Sequence, residues 1–68
     1  MTSLTRRQRE VCARIATGLT NSRIAHDLGI STHMVKLHIR EIMHLTKLNN
    51  RTQIAVWWMR LERWRARQ

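Results

Sequence analysis

The 68-residue chain has no Pro, two Gly, no Phe, no Tyr, one Cys and a formal charge of +9 at neutral pH. So short a chain builds one domain, residues 1–68, around a small core, its lone Cys12 excludes an intrachain disulfide, and no alternating β-branched run supports a sheet. Eleven of the 13 basic residues are Arg, a balance that suits nucleic acid, an anionic membrane surface or an acidic protein partner.

A first helix is predicted from Arg6 to about Thr17, with Thr5 as N-cap and Gln8 completing a capping box. Val11, Cys12, Ile15 and Ala16 form its inner face, flanked by Leu4 and Leu19. Cys12 reads as a small buried hydrophobe without a redox or nucleophilic role. Arg6, Arg7, Arg9 and Arg14 lie on the outer face as solvated charge. Gly18 ends the helix.

The run LTNSRIAHDLGISTHMVKLHIREI, from Leu19 to Ile42, reads as two helices joined by a tight turn. Thr20 caps the first of them, which places Ile24, Ala25 and Leu28 on one face. Gly29 supplies the turn because a residue without Cβ takes positive φ readily. Ile30 plugs the corner, Ser31 caps the next helix, and Ala25 is small where two backbones approach. Together these features predict a helix-turn-helix unit.

The third helix, about residues 32–46, divides into two faces at the 3.6-residue period. His38, Ile42, Val35, Thr46 and Ile39 fall on one arc; Lys36, Lys47, Arg40, His33, His44 and Leu37 fall on the other. An apolar back with long cationic side chains in front is what a helix needs to reach base edges and phosphates in the major groove. A basic face on an ordinary bundle would be solvated charge; directly after a helix-turn-helix turn it reads as the DNA-facing side. His38 is a core-edge histidine, and the helical His spacing, without a carboxylate or second Cys beside it, does not make a metal site. No metal or cofactor is expected.

Leu48, Asn49 and Asn50 form a loop, with Leu48 anchoring it in the core, before a fourth helix of about residues 52–65. Ile54, Trp58 and Leu61 share its inward face, while Trp57 and Trp64 flank it as partly exposed rings. A core this small does not bury three Trp, so Trp57, Leu61 and Trp64 are expected to form a homodimer interface. Rings folded back over the bundle, or a helix lying on a membrane, are the competing readings of the same residues.

Four blocks, LTRRQREV, GLTNSRIAHDLGIS, MVKLHIREI and NRTQIA, resemble the LuxR/GerE-type helix-turn-helix domain of bacterial transcription regulators, from about Leu4 to Ala55. The resemblance implies a four-helix, all-α domain whose third helix enters the major groove and whose fourth mediates dimerisation. It implies base-facing roles for Lys36, Leu37 and Arg40, with His33 and Thr32 meeting base edge or backbone at the start of the third helix. It implies phosphate contacts at Asn21, Ser22 and Arg23, a further phosphate or structural anchor at Arg51 with Thr52, and Glu10 buried against Arg51. His44 and Lys47, farther along the basic face, are expected on phosphates as well.

Two positions depart from the family pattern. Arg7-Gln8 stands where an acid is usual, and HLTK replaces an ending in which Gly follows Lys-Leu, so a frayed end or an inward turn of Leu45 is expected there. The chain also shows no receiver or ligand-sensing segment ahead of the motif, so regulation through abundance, dimerisation or a partner is expected. The reading is a cytosolic, homodimeric regulator of transcription that binds specific double-stranded DNA, since no stretch is apolar enough to span a bilayer and MTSLTRRQRE lacks a signal-peptide core. The alternative is a module that docks on a host regulator or an RNA polymerase subunit through its Trp-rich helix. An enzyme is not expected: Glu10, Asp27, Glu41 and Glu62 are scattered, with no nucleophile–base arrangement or phosphate-cradling loop.

Overall fold

The computed structural model describes residues 3–67, and every described element is a helix: α1 (Arg6–Ala16), α2 (Asn21–Leu28), α3 (Thr32–Thr46) and α4 (Arg51–Ala66). The helices begin where short polar side chains can satisfy otherwise unpaired N–H groups. Thr5, Thr20, Ser31 and Asn50 each have extended backbone and accept from the amide three residues on. The capping box at α1 is complete: Thr5 Oγ1 accepts from the Gln8 amide at 3.1 Å and Gln8 Oε1 from the Thr5 amide at 2.9 Å.

Helix α2 ends as its sequence predicts. Gly29 is left-handed at φ 69°, and the Ile30 amide reaches back to the Ala25 carbonyl at 3.0 Å, the bond that closes a Schellman turn. Ile30 then packs half-buried against the core. The end of α3 differs from the expectation of fraying. The helix runs intact to Thr46, whose Oγ1 donates to the Ile42 carbonyl at 2.7 Å, and Lys47 itself adopts the left-handed conformation at φ 63°. Leu45 stays outward at 41% exposure. A lysine occupies the conformation a glycine would take more readily, because the loop to α4 must reverse there.

The core draws on all four helices: Leu4, Val11, Cys12 and Ile15 from α1 and its approach, Ile24 and Ala25 from α2, Val35, Ile39 and Ile42 from α3, and Ile54 and Trp58 from α4. Helix α1 packs on both α3 and α4, and α2 packs on α3. Cys12 is fully enclosed, and burial pushes its thiol up to about 11 because the thiolate is the form that loses hydration. Gln8 is the one buried polar residue among those described; its Nε2 faces Glu41 Oε1 at 3.4 Å, which braces α1 against α3.

Two predicted details are corrected. Glu10 does not lie buried against Arg51; it is half-exposed and faces Arg7 across 3.8 Å. The Arg51 guanidinium donates instead to Asn21 Oδ1 and the Leu19 carbonyl, tying the start of α4 to the start of α2. Arg14 is more than solvated charge. It donates to the Glu10 carbonyl and sits 3.9 Å from Asp27, so it links α1 to α2.

Candidate nucleic-acid interface

The helix-turn-helix unit presents α3 with Val35, Ile39 and Ile42 buried and the opposite arc in solvent. His33, Lys36, Arg40, His44 and Lys47 are all exposed, and Leu37 lies half-buried between them. The division follows from the residue pattern: apolar side chains at positions 35, 39 and 42 commit one side of α3 to the core and turn the cationic side to solvent. Among the described residues no carboxylate pairs with Lys36, Arg40 or Lys47, whereas Arg7, Arg14 and Arg23 all have one. The charge on α3 is therefore uncompensated and free to meet phosphate or base edges.

Asn21, Ser22 and Arg23 occupy the first turn of α2. Thr20 Oγ1 takes the Arg23 amide at 3.1 Å, and Arg23 Nε pairs with Asp27 Oδ1 at 3.0 Å while its side chain stays largely exposed. Asn21 is half-buried because its side chain receives Arg51. Thr32 opens α3, and Thr52, one residue after the α4 start, is also exposed. The structure thus places the residues expected to meet phosphate at the starts of α2, α3 and α4 and at the far end of α3. Helix starts also offer unpaired N–H groups and a partial positive charge.

Some contributors were not anticipated from the residues alone. Asp27 accepts from Arg23 at 3.0 Å and lies 3.9 Å from the Arg14 guanidinium, so one carboxylate pairs with two guanidiniums. Glu41 sits 3.3 Å from His38 Nδ1 and also faces Gln8, which fixes the core-edge histidine to the underside of α3. Spacing signalled the second arrangement, since His38 and Glu41 are three apart on one helix, whereas nothing local announces the meeting of Arg14 with Asp27.

Helix α4 has two apolar sides. Trp58 is buried at 5% exposure, and Trp57 and Leu61 are half-buried beside it, while Trp64 reaches 60% exposure. On the outward side Val56 and Met59 are also exposed, a strip continued by Thr52 and Arg63 at helical spacing. That strip was missed in the sequence, although the recurrence of small and apolar residues at positions 52, 56 and 59 carried its signal.

Among the described residues no cluster of His, Cys, Asp and Glu could hold a metal, and no helix is long and apolar enough to cross a membrane. The family of bacterial regulatory proteins of the luxR type matches residues 2–58. The chain is 42% identical over 53 residues to the two-component response regulator PprB of Pseudomonas aeruginosa, covering 78% of this chain and 19% of that protein. It is 41% identical over 54 residues to the nitrate/nitrite response regulator protein NarL of Escherichia coli, covering 79% and 25%. It is 42% identical over 55 residues to the transcriptional regulatory protein LiaR of Bacillus subtilis, covering 81% and 26%. The chain therefore spans about a fifth to a quarter of the length of these relatives. With its all-helical turn unit and this match across most of its length, the chain belongs to the luxR family of bacterial regulatory proteins.

Proposed function

We propose that this chain is a cytosolic regulator of transcription that binds specific double-stranded DNA as a homodimer, with α3 seated in the major groove. One observation carries the reading: the outward arc of α3 holds Lys36, Arg40 and Lys47 exposed, with no carboxylate paired to them among the described residues. Relatives described as response regulators and as a transcriptional regulatory protein support it. Lys36 and Arg40 donate to guanine O6 and N7, Leu37 meets a thymine methyl, and His33 touches a base edge near the start of α3. Phosphates are held by Asn21, Ser22, Arg23, Thr32, His44, Lys47, Arg51 and Thr52, which gives salt-sensitive affinity. Arg51 does so with the donors left over from its bonds to Asn21 and Leu19.

Dimerisation runs through α4. The exposed Val56 and Met59 supply an apolar strip, and Trp57, Leu61 and Trp64 form its flank. Selection of bound sequences from a random duplex pool tests the whole reading. An inverted repeat with half-site centres about one helical turn apart is expected; a pool that shows no enrichment contradicts it.

A second reading is favoured by one feature, the 60% exposure of Trp64 beside two further Trp. In it the Trp-rich helix docks on a protein such as a host regulator or an RNA polymerase subunit. Large exposed aromatics surrounded by Arg are enriched where proteins meet.

A further inference from the structure

We infer that the groove between the start of α1 and the end of α4 binds an acidic amphipathic helical segment of a partner protein. The inference rests on the second reading above and is independent of the DNA-facing arc of α3. The groove encloses about 540 Å³. Its walls are Leu4, Trp57, Trp58, Leu61 and Trp64, and Arg9 and Arg65 stand among them with Ser3. No acidic residue lines it.

Three features specify the occupant. First, the walls are aromatic and aliphatic, so the occupant must bring apolar side chains, and a volume of this size accepts a few of them along one helix face. Second, the cations do not stop at the groove. Arg67 extends the basic end of α4 beyond Arg65, and Glu62 is the only acid on that helix. A segment with several carboxylates matches this spread better than a single anionic head group does. A second copy of the chain, which the dimer reading sets against Trp57, Leu61 and Trp64, would bring the same Arg-rich surface against Arg9 and Arg65. The acidic segment and the dimer mate therefore compete for this face, and the groove itself suits the acidic segment. Third, Trp58, which lines the groove, has its indole Nε1 buried without an acceptor. Buried indole N–H groups normally find one; this one is closed to solvent, so the ring must shift as the groove fills before a carboxylate or backbone carbonyl of the occupant can accept from it.

The chain contains three Trp, and all three line this groove, so intrinsic fluorescence reports on it directly. The probe is a synthetic 14-residue peptide, blocked at both ends, with Leu at helical spacing on one face and Glu elsewhere. Titration into the full chain is expected to give a saturable change in Trp emission, and replacing the Glu of the peptide by Lys should abolish it. Arg65→Glu should weaken binding at least tenfold. Arg60→Glu makes the same change in net charge but lies in a different groove, with Leu48, Thr52, Gln53, Val56 and Trp57, and should alter binding less than twofold. Trp64→Ala, at an exposed position that leaves the core intact, should weaken it at least tenfold with helicity unchanged.

Equal losses in Arg65→Glu and Arg60→Glu would reduce the attraction to generic charge and overturn the inference. So would displacement of the peptide by single-stranded oligo(dT), or sedimentation showing that the emission change follows dimer assembly without bound peptide. Arg40→Ala should leave peptide affinity unchanged, so failure of the DNA reading and failure of this one are told apart.

Discussion

Arg51, at the first position of α4, holds Asn21, at the first position of α2, through its guanidinium, and the same group reaches the Leu19 carbonyl. One side chain thus fixes where the helix-turn-helix unit begins relative to the terminal helix. Arg51→Ala leaves both acceptors unpaired and should lower stability by about 1.5–3 kcal/mol, the usual range for hydrogen bonds to a charged group. Urea denaturation followed by circular dichroism measures this. A loss confined to DNA affinity, with no change in midpoint, would show that the clamp adds nothing to the fold.

Arg40 and Arg23 are expected to separate base reading from phosphate attraction. Arg40→Ala should reduce binding to a selected site by about 1–3 kcal/mol, with a much smaller effect on random duplex. Arg23→Ala should weaken both by similar factors, because a phosphate contact carries no sequence information. Fluorescence anisotropy on the two duplexes, at one fixed salt concentration, decides between them. Equal losses for Arg40→Ala on both duplexes would remove it from base reading.

Lys47 presents a trade between stability and affinity. Its left-handed backbone at φ 63° is strained for a residue with a Cβ, by about 1–2 kcal/mol. Lys47→Gly relieves that strain and should raise the melting temperature. The same change removes a cation from the α3 face, and the slope of log K against log salt should become shallower by about 0.9 if Lys47 meets a phosphate. An unchanged slope would take Lys47 off the phosphate backbone.

Cys12 should resist modification in the folded chain. Its thiol is enclosed and pushed up to about 11 from an ordinary value of 9.0, so at pH 8 it stays protonated as well as inaccessible. Iodoacetamide labelling is expected only after denaturant is added. A raised thiol also sets a direction for stability: its contribution is fully present below about pH 9 and is lost as pH rises towards 11. Rapid labelling of the native chain at pH 8 would contradict this account of burial.

Much of the architecture was legible because its determinants are local. The caps at Thr5, Thr20 and Ser31, the left-handed Gly29 and the two arcs of α3 depend on residues within one or two turns, and all are present in the structure. What was not legible depends on tertiary partners. The expected pairing of Glu10 with Arg51 gave way because Asn21 and the Leu19 carbonyl approach the guanidinium first. The meeting of Arg14 with Asp27 and of Gln8 with Glu41 needs the packing of one helix on another before it exists. The end of α3 misled for a different reason: a non-glycine residue is a rare occupant of positive φ, and Lys47 takes it while the turn stays intact.

Guanine methylation interference on a site selected from random duplex tests the central claim most directly, because N7 lies in the major groove. With Lys36 and Arg40 reading that edge, N7 methylation of guanines within each half-site should block binding. Arg40→Ala should lose sensitivity at one guanine per half-site while keeping it elsewhere. Interference only from adenine N3 in the minor groove, or an identical pattern in wild type and Arg40→Ala, would contradict insertion of the basic arc of α3 into the major groove.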